Sequence, residues 1–154
     1  MKLKNVVIAA LVAALSTAAL AQSIGKPEDQ IRWRQSAYLT MAWNMGRIKA
    51  NIDGTYNKDQ VIQAANVIQA IANSGMGILF QPGTDKGKGW KETRVKGEMF
   101  SDREGVGKVA KPYMEAANEM ARVAAAGDLG AIKTQFGKLG ETCKGCHDKF
   151  RKDE

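Results

Sequence analysis

The sequence predicts an all-α fold, a four-helix bundle with one long crossover loop between its second and third helices. Three observations lead to this prediction. Apolar residues recur at steps of three and four in four separate segments, which is the period of a helix with one buried face. The alternating, β-branched runs typical of strands are not found in the 154 residues. Between Ser74 and about Ser101 glycines and a proline interrupt the helical pattern, which predicts the crossover.

The first helix is predicted to begin at residues 26–29 and to run to about Ala50. Pro27 suits the first helical position, and Glu28 and Asp29 are favourable near the positive end of the helix dipole. The turn-rich residues 51–54 predict where the helix ends. Its buried stripe is predicted to contain Ile31, Tyr38, Met41, Met45 and Ile48.

The second helix is predicted to start near Asn57 and to stop near Ser74, with one apolar face. That face consists of Val61, Ala65, Ile68 and Ala72. The long loop that follows is too rich in apolar residues for a disordered segment. We therefore expect it to pack on the core as a flap, since loops of this length in compact domains are functional or disordered.

The third helix is predicted to run from a cap at Ser101 and Asp102 to about Ala126. Pro112 lies inside it and predicts either a kink or a later start. The short join of Gly127 and Asp128 makes the third and fourth helices antiparallel. The apolar stripe of the fourth helix consists of Leu129, Ile132, Phe136, Leu139, Cys143, Cys146 and Phe150.

The segment Cys143-Lys144-Gly145-Cys146-His147 has the spacing of a covalent haem attachment site. Each haem vinyl group takes one thiol as a thioether, and the adjacent histidine reaches the iron as the proximal ligand. On a helix these three side chains share one face, whereas Lys144 and Gly145 point away. The chain has one histidine and two cysteines in total. The sequence thus predicts one haem c in the bundle interior, ligated by His147.

Two other kinds of site share parts of this motif. Thiol oxidoreductases and single disulfides also use two cysteines at this spacing, but redox motifs usually follow a strand and open a helix. Here the cysteines are near the end of a helical segment, which favours haem. A zinc site needs four ligands, and three candidates within five residues leave no fourth.

The N-terminus predicts export. Lys2 and Lys4 precede an apolar run and a small-residue cleavage site that ends at Ala21, which is the pattern of a secretory signal peptide. The run is too short to span a membrane, which needs about 20 residues. We expect residues 1–21 to be removed, leaving a single domain over 22–154 in the bacterial periplasm, with no membrane insertion.

The formal net charge is +7, and removal of Lys2 and Lys4 lowers it to +5. A basic balance can indicate nucleic acid, but export argues against that partner and the charges are spread along the chain. We expect a solvated basic surface with some steering towards acidic redox partners.

Taken together, these features resemble the class II c-type cytochromes, and among them the cytochrome c′ family. The resemblance covers the whole mature chain and is most specific in the terminal haem motif, since class I cytochromes carry theirs near the N-terminus. The matching segments are residues 26–29, Arg34-Gln35-Ser36, Pro82-Gly83-Thr84, 96–100, Gly127-Asp128 and 143–151. Gly97 and Phe100 depart from the proline and tryptophan common in the family.

The resemblance implies a bundle of four antiparallel helices that forms a homodimer. It also implies a pentacoordinate, high-spin haem that binds nitric oxide and carbon monoxide. It implies that Arg34 and Gln35 lie near the haem propionates and that Glu92 and Thr93 approach the haem from the loop. A partly buried arginine also needs an anionic partner, and a propionate would serve. The alternative is that Arg34 extends to solvent.

Tyr38 and Arg151 are assigned to the two faces of the haem by the same resemblance. Arg151, four residues after His147, would line the proximal pocket; a basic residue favoured by the helix dipole is the alternative. Tyr38 would stand over the iron, where it hydrogen-bonds a ligand, obstructs one, or simply fills space. We hypothesise that a gas must displace Tyr38, which would move the first helix and weaken a dimer built on the first two helices.

Two functions follow from these assignments. One is a gas-binding haemoprotein with an open sixth position, which also has the chemistry for electron transfer with an unidentified redox partner. The other is a low-spin electron carrier with Met41 as the sixth ligand. We find no pair of a nucleophile and a general base in the sequence that would indicate an enzyme.

Overall fold

The structure is a computed structural model that describes residues 24–153. The predicted signal peptide, residues 1–21, lies outside the described residues. Four long helices and two single turns make up the fold. They are α1 (Pro27–Asp53), α2 (Lys58–Ala72), a 3₁₀ turn (Met76–Leu79), α3 (Glu98–Ser101), α4 (Arg103–Ala126) and α5 (Leu129–Phe150).

The four long helices pack in a ring, α1 on α2, α2 on α4, α4 on α5 and α5 on α1. The connection between α1 and α2 and the connection between α4 and α5 lie at one end of the bundle, where the Tyr56 hydroxyl of the first donates a hydrogen bond to the Gly127 carbonyl of the second, at 3.1 Å. The crossover loop and the end of α5 meet at the other end, where the Lys96 amide donates to the Phe150 carbonyl at 2.9 Å. The predicted antiparallel four-helix bundle is confirmed.

The apolar core fills the part of the bundle between α1, α2, α4 and α5 that lies towards the α1–α2 and α4–α5 connections. It contains Ile48, Val61, Ala64, Ala65, Ile68, Ala117, Met120, Ala121, Val123, Ala124, Ile132 and Leu139. The stripes predicted for the helices are mostly buried here, but Leu129 is 38% exposed because it is the first residue of α5. Tyr38 was predicted to belong to the buried stripe of the first helix, and that prediction is wrong for the residue as a whole, because Tyr38 is 42% exposed and stands outside this core.

Helix α1 runs three residues further than predicted. The buried side chain of Asn51 explains the difference, because its Nδ2 donates to the Arg47 carbonyl at 3.0 Å and its Oδ1 accepts the Asn57 amide at 2.7 Å. These bonds hold the last turn of α1 against the start of α2. A residue type that favours turns therefore stabilises a helix end.

The predicted boundaries of α4 and α5 hold, with Asp102 and Asp128 accepting amides as N-caps and Gly127 in the left-handed conformation that a β-carbon would strain. Helix α4 is continuous through Pro112 from Arg103, so the alternative of a later start is wrong. Between residues 24 and 153, no helix combines the length and apolarity that crossing a membrane would require.

Candidate functional site

The haem attachment motif occupies the last two turns of α5. Cys143, Cys146 and His147 are half-buried on its inner side, whereas Lys144 and Gly145 are exposed, as predicted. Both cysteine thiols are free. Burial raises the pKa of each thiol. The motif therefore presents two protonated thiols and one imidazole to the inside of the bundle.

His147 is held in an environment that disfavours its charged form. Burial lowers the pKa of the imidazole, and the positive charges of Arg151 and Arg94 lower it further. A neutral imidazole is the form that ligates a metal. Arg151 is thus close enough to His147 to affect its charge, and its own backbone amide donates to the His147 carbonyl at 2.9 Å. Its side chain is exposed.

Tyr38 on α1 lies close enough to the two cysteines of the neighbouring helix α5 for them to affect its ionisation. Burial of the hydroxyl raises the pKa of Tyr38 to about 12, with a further contribution from Cys146, while Arg34 opposes the shift. The residue as a whole is 42% exposed, so its shielded part is the hydroxyl end. Tyr38 therefore brings a neutral hydroxyl close to the attachment motif.

Met41, one turn after Tyr38, is bound by a residue that the sequence analysis did not identify. The hydroxyl of Tyr113 on α4 donates to the Met41 sulfur at 2.7 Å. Burial raises the pKa of Tyr113, and the neighbouring Cys143 and Tyr38 raise it further. Tyr113 could have been found from its register, because it precedes the buried Ala117 by one helical turn.

Arg34 is buried with its guanidinium at the base of the crossover loop, and only 2% of it is exposed. The alternative that it extends to solvent is wrong. Nη1 donates to the Leu79 carbonyl at 3.1 Å and the Thr84 hydroxyl at 2.7 Å, and Nη2 donates to the Thr93 hydroxyl at 2.9 Å and to the Thr84 carbonyl. All four acceptors are neutral. Burial lowers the pKa of Arg34, whereas the nearby Tyr38 and the carboxylate of Asp85 oppose that shift.

Gln35 holds the next part of the loop, a tight hairpin over residues 87–93. Its Nε2 donates to the Lys91 carbonyl at 2.9 Å, and its Oε1 accepts the Trp90 amide at 2.7 Å. Thr93, at the end of the hairpin, joins Arg34. Glu92 is exposed and pairs through its backbone with Lys88. The predicted flap therefore packs on α1, and it brings Thr93 rather than Glu92 to the arginine.

These residues fit a haem c group. Two free thiols lie one helical turn apart beside a neutral imidazole, which are the groups that attachment and iron ligation require. Arg34 offers a buried positive charge whose hydrogen bonds go to neutral oxygens. An anionic group such as a propionate suits that charge. Three helices contribute side chains to this region: α1 contributes Tyr38 and Met41, α4 contributes Tyr113, and α5 contributes the attachment motif.

Known proteins resemble this chain in both sequence and fold. The family model for cytochrome C′ matches residues 29–151. A cytochrome c′ from Rhodocyclus tenuis is 59% identical over 130 residues, which cover 84% of this chain and 98% of the relative.

Solved structures give the same result. A cytochrome c′ with an unusual ligand-controlled dimer dissociation superposes with a TM-score of 0.81 at 56% identity, covering 84% of this chain and 98% of that one. The nitric oxide complex of a mutant cytochrome c prime from Alcaligenes xylosoxidans has a TM-score of 0.76 at 28% identity, covering 86% of this chain and 100% of that one.

Proposed function

The chain belongs to the cytochrome c′ family of c-type haem proteins, and from that premise we propose that it binds nitric oxide and carbon monoxide at a five-coordinate haem. Cys143 and Cys146 would hold the haem through thioethers, and His147 would ligate the iron. Such a group supplies an iron that takes up a gas ligand and exchanges one electron. The observation that carries the proposal is the environment of the side chains opposite His147.

His147 is the sole histidine of the chain, so we take Tyr38 and Met41 on α1 as the candidates for the opposite side. The Tyr38 hydroxyl stays protonated, and a neutral phenol is a poor iron ligand. The Met41 sulfur is 2.7 Å from the Tyr113 hydroxyl that donates to it, so ligation by Met41 would require that bond to break. Both features favour an open sixth position over the low-spin alternative.

Arg34, Gln35 and Thr93 would orient the cofactor from the loop side. The buried Arg34 charge would attract a propionate, while Gln35 and Thr93 would fix the loop that carries the contact. Glu92 would help to hold the hairpin that positions Thr93, because its backbone pairs with that of Lys88. Arg151 would line the space beside His147. Known relatives include a nitric oxide complex, which supports a gas as the ligand.

A homodimer is also proposed, built on the outer face of α1. Leu39 and Trp43 lie one turn apart on this helix, and each is 64% exposed. Large apolar side chains so exposed are typical of interfaces. Since one relative dissociates under ligand control, displacement of Tyr38 by a gas would move α1 and weaken this dimer. We expect Tyr38→Ala to raise carbon monoxide affinity and to make dimerisation insensitive to the gas; unchanged affinity and linkage would contradict this.

We place the mature protein in the periplasm, the compartment to which the predicted signal peptide of residues 1–21 would deliver it. Its role there would be to bind or buffer gas and to exchange electrons with a redox partner. No catalytic activity is proposed.

Optical spectra of the ferric and dithionite-reduced protein, with and without carbon monoxide, test the function. We expect a high-spin spectrum that shifts on addition of the gas. A sharp low-spin α-band indifferent to carbon monoxide would overturn the proposal. The attachment is tested on a denaturing gel, where Cys143→Ser with Cys146→Ser should lose covalent haem, and the control Lys144→Ala, an exposed residue within the motif, should retain it.

A further inference from the structure

The hairpin of residues 87–93 is fixed rigidly beside the proposed haem site. The Gly89 amide donates to the Lys91 carbonyl at 3.1 Å, and the Thr93 amide donates to the Gly87 carbonyl at 2.9 Å, closing the hairpin. The side chain of Gln35 then ties its tip to α1. The backbone positions from which the charged side chains of this hairpin extend are therefore held in place.

A second segment extends the same surface to the end of α5. Val95 and Arg151 form an antiparallel bridge, and the Lys152 amide donates to the Arg94 carbonyl at 2.8 Å. The segment after His147 is thus paired with the segment after the hairpin. Together they form what we call the basic face, which consists of Lys86, Lys88, Lys91, Lys96, Arg151 and Lys152.

Several cations of the basic face have no ion-pair partner within the part of the chain that the structure describes. Among residues 24–153, the ion pairs do not include Lys86, Lys88 or Lys91, and each of the three is exposed. By contrast, Lys144 and Lys149 nearby are paired with Asp148 and Asp102. Exposed cations without partners on one surface create a positive potential that attracts anions from solution.

An aromatic side chain stands at the tip of the same hairpin. Trp90 is 60% exposed, yet its indole Nε1 donates to the Ser36 hydroxyl at 2.8 Å and the Arg32 guanidinium lies 5.3 Å from the ring centroid. Its orientation is therefore set before any partner binds. Tryptophan and arginine held in this way are typical of the anchoring residues of protein interfaces.

We propose that the basic face docks an acidic redox protein, which exchanges one electron with the haem. The inference rests on the proposed function, because it needs the haem bound at His147. In reduction the partner loses one electron and ferric iron becomes ferrous; in oxidation the flow reverses. Gln35 is hydrogen-bonded to the hairpin, and Arg151 of the basic face follows His147 by one helical turn. A partner bound to the basic face would therefore lie beside the proposed haem site.

A protein partner fits this surface better than an anionic membrane does. Asp85, Glu92 and Asp153 lie among the cations. A uniformly negative lipid surface would repel these carboxylates, whereas an acidic protein with its own pattern of charges can avoid them. The preset Trp90 also offers a directional contact that a fluid lipid surface does not need.

The test uses the reduced holoprotein and ferricyanide, an anion that accepts one electron and becomes ferrocyanide. The face variant carries both Lys88→Glu and Lys91→Glu. It is compared with a control variant that carries both Lys133→Glu and Lys138→Glu. Both variants change the net charge equally. The control residues are exposed on α5, on the order of 21 and 14 Å before His147 along the helix.

At low ionic strength we expect the face variant to react about tenfold more slowly with ferricyanide and the control to change less than about twofold, because local potential governs the encounter. The difference should largely disappear in 0.5 M salt, about a 4 Å screening length. Cationic tris(phenanthroline)cobalt(III) should show the opposite order. Equal rates in the two variants would overturn the proposal.

Poly-L-glutamate, which is acidic and redox-inactive, probes the partner class. We expect it to slow the ferricyanide reaction of the wild type and the control but not of the face variant. Vesicles of phosphatidylcholine and phosphatidylglycerol, mixed at about 3:1, test binding to an anionic membrane. If the wild type sediments with these vesicles, the face variant does not, and polyglutamate fails to slow the ferricyanide reaction, the partner is a lipid surface and the proposal of a protein partner is overturned. A purified protein without haem absorbance would instead contradict the proposed function, and with it the electron exchange proposed here.

Discussion

The hydroxyl of Tyr113 on α4 donates a hydrogen bond to the sulfur of Met41 on α1, over 2.7 Å. This bond joins two helices that are not neighbours in the ring, α1 and α4, and Tyr113 lies close enough to Cys143 of the attachment motif for the thiol to raise its pKa. It gives the Met41 sulfur a partner within the protein. Met41 is the methionine that the low-spin alternative would need as its sixth ligand.

The first prediction follows from this bond. If Met41 is not an iron ligand, Met41→Leu should leave the spin state of the ferric and ferrous protein unchanged, as judged by optical and electron paramagnetic resonance spectra. The cost to stability should be small, below about 1.5 kcal/mol, because leucine is similar in volume. Conversion of a low-spin spectrum into a high-spin one would identify Met41 as the ligand.

Tyr113→Phe serves as the companion variant, since it removes the donor and keeps the ring. We expect it to lower the free energy of unfolding by about 1 kcal/mol, the usual net value of one hydrogen bond, with the gas-binding spectrum retained. An appearance of low-spin bands in this variant alone would mean that the hydrogen bond itself keeps Met41 from the iron.

A second prediction concerns Arg34, which makes four hydrogen bonds to residues 45 to 59 positions further along the chain. Arg34→Lys should lower the free energy of unfolding by about 2–4 kcal/mol, because lysine lacks the planar fork and leaves buried oxygens of Thr84 unpaired. Urea unfolding of the holoprotein measures this. Arg47→Lys is the matched control at a position where the guanidinium is bonded to Asn44 and Gln63 side chains; it should cost below about 1 kcal/mol. Equal costs would show that the loop does not depend on Arg34.

The sequence carries most of the information about the helices but less about the loop. Period and caps are local features, so Asp102 and Asp128 could be recognised as helix starts from their neighbours. The end of α1 was missed because Asn51 is stabilised by Arg47 and Asn57 across a turn, which is a tertiary contact. Propensity alone makes asparagine a terminator there.

The site divides in the same way. The motif at residues 143–147 could be predicted because its chemistry depends on spacing within one helix. The clamp on the loop and the bond from Tyr113 could not, since they join residues that are far apart in sequence. The anionic partner expected for Arg34 was inferred from burial, yet burial does not reveal that threonine hydroxyls and loop carbonyls take up its hydrogen bonds.

A third prediction tests how closely the hairpin must approach α1. A β-carbon on Gly89 would lie 2.7 Å from the Arg32 amide nitrogen and 2.8 Å from its Cα, and these backbone atoms cannot move aside without shifting the helix. We expect Gly89→Ala to lower the free energy of unfolding by about 1–3 kcal/mol and to increase Trp90 fluorescence sensitivity to quenchers.

Gly137→Ala is the control for that substitution. Gly137 lies in α5, where an added β-carbon meets nothing within 4 Å. Alanine in a helix interior is favoured over glycine by about 1 kcal/mol, so this variant should be more stable than the wild type. A Gly89→Ala protein as stable as the wild type would mean that the hairpin can move away from α1 at little cost.

The fourth prediction concerns acid stability and the contact between α4 and α5. Asp102 caps α4 by accepting the Gly105 amide at 2.7 Å, and it pairs with Lys149 of α5 at 2.8 Å. The hydrogen bond from Lys149 lowers the pKa of the carboxyl, and the Gly105 amide lowers it further. The ionised form is therefore favoured in the folded protein.

The sign of the pH dependence follows from that direction. Above the unfolded-state pKa, about 3.9, the stabilisation is fully present; as the pH falls through the lower folded pKa it is lost, because the unfolded state binds the proton first. Asp102→Asn keeps a capping side chain but removes this contribution. The free energy of unfolding of this variant should therefore fall less steeply between about pH 5 and about pH 3, a window of roughly one unit on each side of the reference pKa. Lys149→Met should flatten the same curve from the other partner. Parallel curves for wild type and both variants, measured by urea unfolding at each pH, would show that the contact contributes nothing to acid stability.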